Sequence, residues 1–371
     1  MEDPSTLAPT PPTPADGWRI RIRTRASDVG AALAALALVA LVLAPVAVGR
    51  STIQGLFSIL TMLTLAQSWN FLAGTGGLVS VGQQAFVGLG GYAMFAAVVF
   101  LELDPFTGIL VGGAASVLLA MLTASFVFRL EGAYFAIGTW VVSEVVRLLV
   151  AQWKGLGGGT GTSLPRAALH GLPGAARIGA IFGVREAAAI DILCYLAALA
   201  LAVATIGTIY ALSRSRYGLG IAAMRDNRQA AEVLGIDALR MKAAIFLFSS
   251  LVTGLCGGLI YLQKGRISPD AAFSVADWTA YVIFIVVIGG IGTIEGPIVG
   301  VLCFYGLRTA LADHGSWYLL TLGCVSIVVM IAAPRGIWGL IRDRTALELF
   351  PMRRRAEPAR SATDIKEAKN V

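Results

Sequence analysis

Repeated runs of about twenty apolar residues limit what this chain can fold into. Residues 29–48 read VGAALAALALVALVLAPVAV and hold no charged or amide side chain. At ~1.5 Å per residue, a helix of that length crosses the ~30 Å hydrocarbon core of a bilayer. Further runs lie near residues 52–72, 78–101, 106–128, 132–152 and 189–212, and then near 243–263, 276–289, 297–311 and 315–333. In lipid every backbone N–H and C=O must be satisfied within the chain, which such runs achieve as helices. The expectation is therefore an all-α polytopic membrane protein with about eight to ten transmembrane helices. Two of the later runs are short, so the pattern allows ten spans, which it favours, or eight plus a re-entrant pair. The chain is 57% hydrophobic and only 14% charged, against roughly a quarter charged in soluble domains, which argues against a large soluble α/β enzyme. The first run follows an Arg-rich lead as a signal peptide does, but its length and the spans after it mark an uncleaved first helix.

Charge placement orients the chain. Arg19, Arg21, Arg23 and Arg25 precede the first run. Arg214, Arg216, Arg225, Arg228, Arg240 and Lys242 fill a central polar stretch, and Arg342, Arg344, Arg353, Arg354, Arg355 and Arg360 follow the last run. Positive flanks stay in the cytoplasm, which assigns residues 1–28 as a disordered cytoplasmic tail and 29–341 as the membrane domain. Within it, 213–242 is a cytoplasmic loop and 154–188 an external loop. Residues 342–371 form a cytoplasmic C-terminal tail. The external loop carries Lys154, Arg166, Arg177 and Arg185, against the rule, yet moving it inside would strand a stronger Arg cluster outside. Nucleic-acid binding is a poor fit, because no folded soluble domain or aromatic platform accompanies the arginines.

Two glycine-rich breaks interrupt the apolar pattern, Gly74 to Tyr92 (GTGGLVSVGQQAFVGLGGY) and Val287 to Gly300 (VIGGIGTIEGPIVG). Broken helices at membrane depth are tolerated where they are buried in protein or line a cavity, and paired breaks in two halves point to an internal repeat with a pathway between its halves. Gly82, Gly88, Gly289, Gly290, Gly292, Gly296 and Pro297 are the expected helix breaks. The competing reading is that these glycines let helices pack closely. Ser80, Gln83 and Gln84, with Tyr134, Thr139 and Glu144, are candidates for a translocation path, since amides and acids at that depth need partners. Glu144 and Arg147, three apart on one helix, can also simply neutralise each other. Glu295 lies in the second break.

No catalytic set is visible. His170 and His314 are far apart in loops, which argues against a His-based metal site. Cys194, Cys256, Cys303 and Cys324 lie in apolar runs without CxxC spacing and read as packing residues. GLGGGTGTS at 155–163 lacks the GK[ST] ending of a phosphate loop. The chain thus reads as neither an enzyme nor an ATPase, with no cofactor or metal of its own. An ATP-independent transporter would need carboxylates near midplane, and only Glu144 and Glu295 qualify.

The stretch RDNRQAAEVLGID, residues 225–237, is a polar helix set between apolar runs. From its residues alone, docking to a partner protein and lying on lipid headgroups are equally open. Several ordered motifs carry a resemblance. They are GLVSVGQQAFVGLGGYA, LEGAYFAIGTWVVSEVVR, SRYGLGIAAMRDNRQAAEVLGID with MKAAIFLFSSLVTGLCGGL, VIGGIGTIEGPIVG and APRGIWGL. Together, over residues 50–341, they resemble the Liv-type inner-membrane permeases of ATP-binding cassette importers for branched-chain amino acids.

The resemblance implies a multi-pass bacterial inner-membrane subunit that imports leucine, isoleucine or valine. Its implied partners are a second homologous permease, two ATP-binding subunits that use ATP and Mg, and an external substrate-binding protein. Related permeases extend the substrate alternatives to other amino acids, urea and short amides. It also implies that Arg225, Asp226, Asn227, Ala230, Ala231, Glu232 and Gly235 form the ATPase-coupling surface. There the small Ala230 and Ala231 allow close approach, Glu232 meets a basic group, and Gly235 ends the helix.

Overall fold

The computed structural model describes residues 18–21, 25–165, 168, 174–311, 317–333, 335–345, 350 and 355–358. Residues 1–17 of the expected disordered tail, both histidines, Arg166 and most of the C-terminal tail lie outside the described residues.

Helix α1 (Arg25–Ala47) turns at Val48–Gly49 into α2 (Arg50–Asn70), which continues as a π-helical turn, Phe71–Thr75. Then come α3 (Gln83–Phe100), α4 (Pro105–Val127) and α5 (Ala133–Gln152). The start of α4 is set by Asp104, whose carboxylate accepts from the N–H groups of Phe106 and Thr107, with Pro105 in the first turn. After a loop with a short helix, α6 (Ala175–Phe182), the chain forms α7 (Glu186–Arg214). The polar stretch follows as α8 (Arg216–Asp226) and α9 (Arg228–Val233). The remainder is α10 (Ala238–Lys264), α11 (Pro269–Ala272), a π-helical turn (Ala276–Ala280) leading into α12 (Tyr281–Gly289), α13 (Glu295–Ala310), α14 (Trp317–Ala332) and α15 (Gly336–Thr345).

Two antiparallel strand pairs complete the fold, β1 (Trp18–Arg21) with β4 (Arg355–Pro358), and β2 (Thr162–Ser163) with β3 (Arg266–Ile267). The first pair narrows the expected disordered tail of 1–28. Residues 18–21 alternate Trp-Arg-Ile-Arg, the period of a strand, and α1 begins at Arg25.

Among the described residues, nine helices are long and apolar enough to cross a membrane. Helix α13, at 16 residues, falls short of that length, but its course settles the question of the short pair. It runs antiparallel to α2, with Gly292 beside Gly74 at one end and Tyr305 beside Gly55 at the other. The α12–α13 turn reaches Arg225 of the polar stretch, so the two helices traverse the bundle rather than dip into it.

The core forms where α3, α4 and α10 touch backbone to backbone. A Cβ on Gly90 would stand 2.2 Å from the Gly254 carbonyl oxygen, one on Gly112 2.3 Å from that of Gly90, and one on Gly257 2.2 Å from that of Val87. Small residues allow this approach, the usual device of helix association in lipid. Around the seam Trp69, Tyr92, Phe95 and Tyr261 are fully buried. Cys194 and Cys256 join this core, whereas Cys303 and Cys324 sit on exposed faces, so only the first pair acts as packing residues. Outward-facing Leu36, Leu43 and Val46 of α1, with Leu118, Met121 and Leu122 of α4, suit a lipid surface.

Candidate functional site: two glycine breaks joined beneath a polar stretch

The two breaks, more than two hundred residues apart in sequence, meet. Asn70, at the end of α2, accepts from the Gly292 N–H at 2.7 Å through Oδ1 and donates to the Thr293 carbonyl at 2.7 Å through Nδ2. One turn earlier, Gln67 donates to the Ile294 carbonyl at 2.6 Å. The side-chain amides of α2 therefore satisfy the backbone groups that the second break frees. Trp69 does the same for the first break, donating to the Ser80 carbonyl at 2.8 Å.

Glycine is required at the second break for two reasons. Gly292 has φ +79°, in the left-handed region, and a Cβ on Gly289 would lie 1.9 Å from the Gly296 carbonyl oxygen. Gly82 caps α3, where a Cβ would lie 2.3 Å from the Thr139 carbonyl. Gly88 is not a break. It lies within α3, where its missing side chain makes room for the Phe273 ring. Gly296 and Pro297 belong to the first turn of α13, where proline removes no helical hydrogen bond. The helix over 78–101 likewise begins only at Gln83, because residues 76–82 form the break and Gly77 has φ +70°.

The polar stretch is tied to this junction. The Arg225 guanidinium donates to the Gly74 carbonyl and stands beside Gly292. Arg225 thus reaches back to the membrane domain while its side chain stays exposed. Asn227 caps α9, its Oδ1 accepting from the Ala230 N–H at 3.0 Å. At the other end Gly235, with φ +82°, donates to the Glu232 carbonyl at 3.0 Å, and Ile236 to that of Ala231 at 3.1 Å. That paired closure is a Schellman motif. Ala231 is buried against Met224 and Ala238, so it holds α9 to α8 and is unavailable for a partner's close approach. The Asp226 side chain lies outside the described residues.

The outward surface is made by Ala230, Glu232 and Gly235 with Val233 and Leu234, the last two 88% and 78% exposed. Sequence reasoning passed over Val233 and Leu234. The available signal was an apolar pair at the end of a polar helix, immediately before its terminating glycine.

The six path candidates fall into two groups. Ser80, Gln83, Gln84 and Thr139 are buried together between α3, α5, α10 and the second π-helical turn. Gln83 donates to Thr253 Oγ1 at 2.7 Å, Gln84 accepts from Thr279, and Thr139 Oγ1 accepts from the Val81 N–H at 3.1 Å. The cavity beside Gly82 and Thr139 holds about 10 Å³, roughly one water. This polar seam is closed.

Tyr134 and Glu144 are not part of that seam. Tyr134 is exposed on α5, whereas Glu144 is half-buried there and pairs with Arg147 at 2.5 Å. Arg147 also binds Asp270 at 2.8 Å. A second cavity, of about 400 Å³, opens between Gly76–Val79, Glu131–Ala133, Arg225 and Lys242. It joins the first break, the α4–α5 turn and the polar stretch. Glu295 is buried and accepts from the Phe350 N–H at 2.7 Å, so it anchors the chain beyond α15. No group of His, Cys, Asp and Glu among the described residues could hold a metal ion.

The profile of the family described as branched-chain amino acid transport system / permease component matches residues 51–334. The chain is 28% identical over 334 residues to the high-affinity branched-chain amino acid transport system permease protein LivM of Escherichia coli K12, covering 87% of this chain and 78% of that protein. A shorter similarity, 31% over 136 residues, links it to the fructose import permease protein FrcC of Rhizobium meliloti, with 35% of this chain and 37% of that protein covered. No solved structure gives a significant match.

Proposed function

This chain belongs to the family of permease components of branched-chain amino acid transport systems, and from that membership we propose a specific division of labour. The chain is the membrane-spanning subunit of an ATP-binding cassette importer. It forms part of the path for leucine, isoleucine and valine and performs no chemistry itself. A second permease, two ATP-binding subunits and an external binding protein complete the assembly, and ATP with Mg acts on the ATP-binding subunits. Both termini and residues 213–242 face the cytoplasm of a bacterial inner membrane, and 154–188 face outward, as the three Arg clusters require.

The observation that carries this reading is the contact from Arg225 to Gly74, above the Asn70–Gly292 junction. The α8–α9 unit offers an ATPase a charged and apolar surface at Ala230, Glu232, Val233 and Leu234. Movement of that unit pulls, through Arg225, on a point where both broken helices meet. The 400 Å³ cavity beside Arg225 is then the inner mouth, and the closed seam of Ser80, Gln83, Gln84 and Thr139 is the gate that must part. Exposed α5 faces the second permease. Its Glu144–Arg147 pair, joined by Asp270 of α11, is costly against lipid and tolerable beside protein or a watered path. The test is uptake of labelled leucine by cells carrying the whole gene cluster, with and without this gene. Uptake that is unchanged by the deletion rejects the proposal.

A further inference from the structure

At the end of the bundle opposite the polar stretch, α2, α10, the second π-helical turn and α13 enclose a cavity of about 220 Å³. Its floor is apolar, with Phe57, Met62, Ile260 and Phe304. Its rim carries charges of both signs, Lys264, Arg308 and Asp277. Among the described residues none of these three forms an ion pair. Arg50 and Asp191, on neighbouring helix ends, are paired at 2.5 Å. The Lys264 ammonium instead stands 4.9 Å from the centre of the Trp278 ring and 5.2 Å from that of Tyr261. In the same wall Gln263 Nε2 is buried without a hydrogen-bond partner.

We propose that this cavity binds a small zwitterion bearing a short apolar group, of the kind an α-amino acid presents. Its anionic end meets Lys264 and Arg308. Its ammonium meets Asp277, and its apolar group rests on the Phe57–Phe304 floor. The volume lies below the ~300–1,000 Å³ of pockets for drug-sized ligands, which suits one such molecule. The headgroup of phosphatidylethanolamine carries the same pair of charges and is the second source of this chemistry. The choice of a free amino acid as probe rests on the importer reading; the site itself rests on the cavity and its unpaired charges.

The test uses the full-length chain in phosphatidylglycerol nanodiscs, a lipid without an ammonium group, with equilibrium binding of labelled L-leucine. Saturable binding is expected. Asp277→Asn and Arg308→Gln should each weaken it about tenfold or more, as loss of a charged hydrogen bond does, while Asp277→Glu retains most of it. Leucine amide, which lacks the carboxylate, and 4-methylpentanoate, which lacks the ammonium, should compete at least tenfold less well than leucine. Each variant is checked for a monodisperse gel-filtration profile.

If leucine does not bind, but phosphatidylethanolamine co-purifies with the wild type and is lost from monodisperse Asp277→Asn/Arg308→Gln, the site stands with lipid as its occupant. If neither ligand distinguishes the wild type from that double variant, the site is refuted. Gene-dependent leucine uptake without either binding event removes the site and leaves the importer reading intact. Leucine binding without gene-dependent uptake does the reverse.

Discussion

Replacing Asn70 with leucine removes the side chain that joins the two breaks while keeping its size. It leaves the Gly292 N–H and the Thr293 carbonyl without their 2.7 Å partners, in a junction where Asn70 itself is 4% exposed. Both contacts are part-buried, so each group left unpaired should cost towards the low end of about 1–3 kcal/mol, and the pair about 2–3 kcal/mol. Gln67→Met is the matched control. It strands only the Ile294 carbonyl, and it also removes Gln67 Oε1, which is buried without a partner. These effects oppose each other, and the net loss should be about 1 kcal/mol or less. The assay is thermal loss of the monodisperse gel-filtration peak in detergent. Asn70→Leu should melt well below Gln67→Met, which should stay close to wild type. Equal melting of Asn70→Leu and wild type, or a larger loss in Gln67→Met, would refute the claim that α2 amides hold the second break.

Other outcomes follow from the same geometry. Single cysteines at Ser163 should react with an impermeant thiol reagent in intact cells, while those at Ser215 should not; the reverse inverts the topology. Gly90→Val places bulk 2.2 Å from the Gly254 carbonyl and should prevent stable insertion. Gln83→Leu with Gln84→Leu should leave the protein inserted but abolish uptake. Normal uptake in that double variant removes the polar seam from the path. Glu232→Arg and Val233→Asp should reduce co-purification of the ATP-binding subunits. If they bind normally while Arg228→Ala loses them, α9 is a membrane-surface helix.

Much of the fold was legible because a bilayer leaves few options. Apolar runs of sufficient length had to be helices, and the later short pair still traverses the bundle as α12 and α13. The glycine-rich break after Gly74 was legible, but the helix start at Gln83 was not, since residues 78–82 are as apolar as a span and the positive φ at Gly77 appears only in the fold. Long-range partnership was also hidden. Nothing local to Asn70 or Arg225 says that both reach the same glycine junction. Gly88 reads like a break from its neighbours, yet its role is set by Phe273, far along the chain. Ala231 and Ala230 are indistinguishable in sequence, but the fold buries one against Met224 and exposes the other. Val233 and Leu234 were overlooked because apolar residues in a membrane protein ordinarily point to lipid, and their exposure on the polar stretch appears only once α8 and α9 are placed.

The most direct test of the central claim, that the polar stretch passes force through Arg225 to the joined breaks, is paired measurement of ATP hydrolysis and leucine uptake. It uses proteoliposomes holding the whole importer with Arg225→Met. The account predicts that the ATP-binding subunits remain attached and hydrolysis continues, while uptake falls at least tenfold. Uptake that stays in proportion to hydrolysis in this variant would contradict it.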